Sequence, residues 1–224
     1  MYSLPMKKQK YIAEFLGTFA LVFCGCGAIV TNDVAPGLVG NAGIAMSFGL
    51  IVMAMIYSFG SISGAHINPA VSLAFYLNKQ LRSKDVLPYI FSQLLGAIVA
   101  CLALKGMFSE HETLGLTSPH GSDNQSFILE FVLTFLLMLT IFKVSSSKKN
   151  IAQFTGLAVG GVVLLEAYFA GPISGASMNP ARSFGPAIVS GNVDKLWIYM
   201  LATSLGALAS IPFHRLTIIP KKHK

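Results

Sequence analysis

Two short runs hold most of the polar chemistry in this chain. Residues 62–72 contain Asn68, Pro69 and Ala70, and residues 173–183 contain Asn179, Pro180 and Ala181 in the same register. Asparagine is a strong N-cap, and proline suits the first helical position, where its missing N–H goes unnoticed. Each run therefore predicts a loop that ends by starting a helix. The amides would supply donors, and the carbonyls of residues 61–67 and 172–178 a ladder of acceptors. The second run adds a lone guanidinium, Arg182. This inventory supports exchange of hydrogen bonds with a passing molecule. It does not assemble a nucleophile, a base and an orienting group, so no enzyme is expected.

The elements positioning these runs are apolar. The chain has 224 residues, 54% hydrophobic and 11% charged, against a charge content of roughly 25% in soluble domains. Its mean hydropathy is +0.65. Six stretches, near 11–30, 39–59, 86–107, 127–144, 151–169 and 196–213, are long enough to cross a bilayer at about 20 residues each. Residues 69–77 and 180–189 are about half that length and predict re-entrant half-helices. The fold class is thus an all-α membrane protein, one membrane domain over 1–224. No cleavable signal peptide is apparent, so the first apolar run is read as a span. Cys24, Cys26 and Cys101 show no metal or disulfide spacing and are expected as small core residues. The net charge of +7 sits in short loops without a basic face or stacking aromatics, which argues against nucleic acid.

Those bases orient the spans. Lys7, Lys8 and Lys10, then Lys79, Arg82 and Lys84, then Lys143, Lys148 and Lys149, then Arg215, Lys221, Lys222 and Lys224 all fall on one side, expected to be cytoplasmic with both termini. Lys105 and Lys195 dissent. Residues 14–19 resemble 130–135, and residues 95–97 resemble 205–207. The chain is therefore a repeat: 11–107 and 127–213, joined by an extracellular linker at 108–126 and followed by a cytoplasmic tail at 214–224. Three spans per half make the repeat inverted, with a pseudo-two-fold axis in the membrane plane. The half-helices would meet near the midplane with their positive ends converging, a locus that repels cations. A water accepting from both asparagine amides there would interrupt a proton wire.

Paired Asn-Pro-Ala turns within an inverted three-span repeat resemble the aquaporin, or major intrinsic protein, family over nearly the whole chain. The resemblance implies a tetramer of hourglass-shaped monomers in the plasma (inner) membrane, each with its own pore for water and small neutral solutes. No cofactor or metal is implied. It places Arg182 in an outer selectivity filter with Phe48, Ala167 and Ala176. Water-selective members usually have histidine where Ala167 stands. Glycerol facilitators usually have tryptophan at the position of Phe48 and aspartate at that of Ser183. The run 170–178 looks most like nodulin-26-like members and their bacterial relatives, which suggests glycerol-like polyols and metalloid hydroxides such as arsenite or boric acid. The alternatives are a water-selective aquaporin and a secondary transporter, the latter sharing broken helices and inverted repeats.

Glu14 and Glu130 occupy equivalent positions and are expected to brace the re-entrant loops. Glu166, where the first repeat has Met55, is expected to brace the second loop or to bias the outer mouth. His66 is expected to line the inner vestibule rather than to bind metal.

Overall fold

The computed structural model describes residues 6–147 and 152–217. The side chain of Lys7, together with Lys148, Lys149, Lys221, Lys222 and Lys224, lies outside the described residues. The described residues form eight helices in chain order: α1 Met6–Val34, α2 Gly40–Ser63, α3 Pro69–Leu77, α4 Ser83–Met107, α5 Asp123–Ser145, α6 Thr155–Ser174, α7 Pro180–Ser190 and α8 Leu196–Leu216. Six are long and apolar enough to cross a membrane. At 1.5 Å per residue, even the 20 residues of α6 reach about 30 Å, the thickness of the hydrocarbon layer. The short helices α3 and α7 reach about half of that.

Close approach of helix backbones depends on glycine at repeated positions. A Cβ at Gly96 on α4 would strike the Phe15 carbonyl oxygen on α1, and one at Gly206 on α8 would strike that of Phe131 on α5. The two halves thus use the same contact. Between α2 and α6, a Cβ at Gly49 would lie 2.6 Å from the Gly160 oxygen, and one at Gly160 would lie 2.5 Å from the Gly49 oxygen.

The described bases sort by end of the bundle. Lys10 pairs with Asp85 at 2.6 Å, Arg82 reaches the same carboxylate, and Arg215 holds Asn78 and the Leu77 carbonyl where α3 ends. Lys143 meets the Thr217 carbonyl. At the other end, Lys195 pairs with Asp123 and His111 lies against Asp33.

Two expectations need correction. Helices α2 and α6 run on to Ser63 and Ser174, so the non-helical stretches shrink to 64–67 and 175–178 and the ladder of carbonyls is shorter than the sequence suggested. Cys26 and Cys101 are core residues, but Cys24 faces outward. A helix that is apolar on every side gives no sign of which face points inward.

Candidate functional site

Each re-entrant stretch begins where a helix is stopped. Gly64 and Gly175 close α2 and α6 in the left-handed conformation, with φ of 91° and 84°. Non-glycine residues follow in the same region: Ala65 at 46°, Ile67 at 44°, Ala176 at 41° and Met178 at 54°. Such backbone persists only where its surroundings over-determine it. Asn68 then caps α3, accepting from Ala70 N–H at 2.9 Å. Asn179 caps α7, accepting from Ala181 N–H at 2.9 Å and Arg182 N–H at 3.4 Å.

The opposite ends of these amides cross between the repeats. Asn68 Nδ2 donates to the Met178 carbonyl at 2.8 Å, and Asn179 Nδ2 donates to the Ile67 carbonyl at 2.8 Å. An amide nitrogen has two hydrogens, so one on each side chain is left over. Both asparagines line the same cavity.

Two carboxyls hold the loops from behind. Glu14, fully buried, accepts from His66 N–H at 2.9 Å, Ile67 N–H at 2.7 Å and Gln93 Nε2 at 2.7 Å. Glu130, also fully buried, accepts from Ser177 N–H at 2.8 Å, Met178 N–H at 2.9 Å and the Ser174 hydroxyl at 2.7 Å. The Tyr89 and Tyr199 hydroxyls donate to the carbonyls of Ser63 and Ser174, each at 2.8 Å. Glu166 behaves differently. It is 6% exposed, yet its Oε2 has no partner and it makes no described hydrogen bond to the second loop. The Ser177 and Met178 N–H groups of that loop go to Glu130 instead.

Three cavities lie end to end. An outer one of about 760 Å³ is lined by Phe48, Ala167, Ala176 and Arg182 among others. A middle one of about 100 Å³ contains both asparagines. An inner one of about 670 Å³ is lined by Tyr89, Arg82 and Gln80. The outer and middle cavities share Phe48, Ala176 and Arg182. The middle and inner ones share Ile56, His66 and Phe75. His66 thus stands at the neck above the inner vestibule, its Nδ1 3.0 Å from the Ser72 hydroxyl. Among the described residues, no group of three or more His, Cys, Asp or Glu could hold a metal ion.

Arg182 is 1% exposed. Its guanidinium carbon lies 4.9 Å from the Phe48 ring centroid, within cation–π range, and Nη1 donates to the Gly115 carbonyl at 2.7 Å. Nε has no protein acceptor. Gly115 belongs to the stretch between the repeats, which the sequence offered only as a linker. The stretch also packs against the site. Leu114 is fully buried, the Thr117 hydroxyl donates to Ser183 at 2.8 Å, and His120 N–H reaches the Ile173 carbonyl. Gly115 has φ +76°, and a Cβ there would lie 2.8 Å from Cys26 Cβ. An apolar leucine beside a glycine in an otherwise polar loop was the available signal.

The family model described as "Major intrinsic protein" matches residues 2–213. The chain belongs to the major intrinsic protein family. Among curated members, it is 47% identical to Aquaporin NIP1-1 of Oryza sativa subsp. japonica over 209 residues, covering 93% of this chain and 73% of that one. It is 41% identical to Nodulin-26 of Glycine max over 202 residues, covering 90% and 74%. Among solved structures, the aquaglyceroporin from Plasmodium falciparum superposes with a TM-score of 0.84 at 28% identity, covering 94% of this chain and 96% of that one. This member of the major intrinsic protein family is a multi-pass membrane channel for water and small neutral solutes, and not an enzyme.

Proposed function

We propose that this channel passes small polyols such as glycerol, and metalloid hydroxides such as arsenite or boric acid, along with water, while excluding ions and protons. The observation that carries this reading is the outer junction. Arg182 and Phe48 form one wall there, and two methyl groups, those of Ala167 and Ala176, stand where bulkier or polar side chains could have narrowed the passage. The Arg182 guanidinium, which lines both the outer and the middle cavity, offers donors to a solute oxygen, and the methyls accept its carbon face. Further in, the remaining amide hydrogens of Asn68 and Asn179 orient the molecule at the meeting point of two positive helix ends. A cation is repelled twice along this path, once by Arg182 and once at the caps.

The bases gathered at one end of the bundle support cytoplasmic termini in a plasma (inner) membrane, and the subunits are taken to form a homotetramer with one pore each, as the family resemblance implies. A coupled transporter is disfavoured because amides, not ion-binding carboxylates, occupy the centre. Stopped-flow light scattering on proteoliposomes tests the reading. Water, glycerol and boric acid should all cross faster than in empty vesicles, without saturation and without an ion gradient. Fast water entry with glycerol and boric acid at background would instead establish a water-selective channel.

A further inference from the structure

From α2 through α3 and from α6 through α7, equivalent residues of the two repeats lie 111 positions apart, as Asn68 and Asn179 do. Moving the outer junction through that operation gives an inner set: Ala167 becomes Ile56, Ala176 becomes Ala65, Arg182 becomes Val71 and Phe48 becomes Val159. All four inner residues line the middle cavity. Ile56 also belongs to the neck shared with the inner cavity. Ile56 at the neck is thus the symmetry counterpart of Ala167, while Val71 and Val159, the counterparts of Arg182 and Phe48, line the middle cavity beyond it.

The wall completing this neck is braced. His66 and Phe75 stack with centroids 4.6 Å apart and planes 15° from parallel. Tyr89 meets His66 edge-on at 5.1 Å, and Phe142, itself fully buried, meets Phe75 edge-on at 5.4 Å. The Ser72 hydroxyl fixes the imidazole from a third direction. A wall held by aromatic packing on one side and hydrogen bonding on the other yields little to a wide solute, since close-packed interiors resist displacement.

We infer that Ile56, set against the His66–Phe75 wall, is a second filter at the inner end of the path, and that it fixes the upper size of the neutral polyols that pass. The outer junction sorts by hydrogen bonding and charge through Arg182. The inner one, where Ile56 stands with His66, Phe75, Ser145 and Thr155, has no guanidinium and sorts by width. Where the outer ring has a methyl, the inner ring has a sec-butyl group, so a solute admitted outside meets its tighter gate inside. The inference rests on the channel reading and extends it to the position of the size limit.

The test is a flux series through the full chain in proteoliposomes with water, glycerol, four-carbon erythritol and five-carbon ribitol. Ile56→Ala should raise erythritol and ribitol flux relative to water by about ten-fold, the scale on which a methylene matters in a tight apolar site. Ala167→Gly, which widens the outer junction, should leave that ratio unchanged. If Ile56→Ala fails to assemble, Ile56→Val should move the ratio in the same direction by a smaller step. The opposite pattern, with the ratio moved by Ala167→Gly and untouched by Ile56→Ala or Ile56→Val, overturns the inference, as does no movement in either. Parent vesicles that pass no glycerol or larger polyol would defeat the polyol reading itself, a result separable from the position of the filter.

Discussion

Replacing Glu130 by glutamine should loosen the second re-entrant loop by an amount that follows from its hydrogen bonds. Oε1 takes the Ser177 N–H and the Ser174 hydroxyl, and Oε2 takes the Met178 N–H. Every neighbour is a donor. An amide can present its oxygen to the first pair, which turns its NH₂ against the Met178 N–H. A buried N–H left without an acceptor costs about 1–3 kcal/mol. The two surviving bonds lose their charge assistance, about 1 kcal/mol each. The sum is about 3–5 kcal/mol. At ~2–4 °C per kcal/mol for a chain of this size, the apparent melting temperature in detergent should fall by roughly 10 °C. Osmotic water permeability should fall with it, because Met178 is the residue whose carbonyl receives Asn68. Glu14→Gln is the internal control. Gln93 donates to Glu14, and its own Oε1 has no partner, so the Gln93 amide can turn over and accept from the new NH₂. The corresponding place in the second repeat holds Thr203, whose hydroxyl is committed to the Tyr199 carbonyl. Glu14→Gln should therefore be milder by about 1 kcal/mol. An unchanged melting temperature and water flux in Glu130→Gln, or a larger loss in Glu14→Gln, would refute the reasoning.

Ala167→His should reduce glycerol flux while water flux persists, measured by light scattering in the same vesicles; unchanged glycerol entry would count against the outer junction as a filter. Gly115→Ala places a Cβ 2.8 Å from Cys26 Cβ at φ +76°, a strain of about 1–3 kcal/mol, and should shift the carbonyl that holds Arg182. The expected readouts are a lower melting temperature and an altered glycerol-to-water ratio. Asn68→Asp keeps the cap on Ala70 but sets a carboxylate oxygen against the Met178 carbonyl, so folded yield and water flux should both collapse. Recovery of a stable, conducting Asn68→Asp protein would show that the crossed bond is dispensable.

Much of this architecture is legible in the sequence because local chemistry and global fold agree. Asn-Pro writes a helix start at residues 68 and 179, and α3 and α7 begin there. Apolar runs of bilayer length predict six spans, and six are found. Glu14 and Glu130 stand out as carboxyls inside such runs, and both meet the re-entrant loops. What escaped the sequence depends on contacts between distant segments. Gly115 lies 67 residues from Arg182, in a loop whose composition resembles that of any surface connection. Glu166 sits beside Ala167, which suggested a role at the mouth, but adjacency on a helix turns a side chain by about 100°. Its neighbour lines the outer cavity and it does not.

The crossed asparagines have a consequence for how the chain is made. Asn68 has no acceptor for its amide until residue 178 has been synthesised and has entered the membrane, and Ile67 waits equally for Asn179. The first half therefore passes through translation with an unfinished turn at membrane depth, where an unsatisfied polar group is costly. The N-terminal half must keep that turn in water or against the insertion machinery until its counterpart arrives, so the two halves become a pore together, late, in a single closing step.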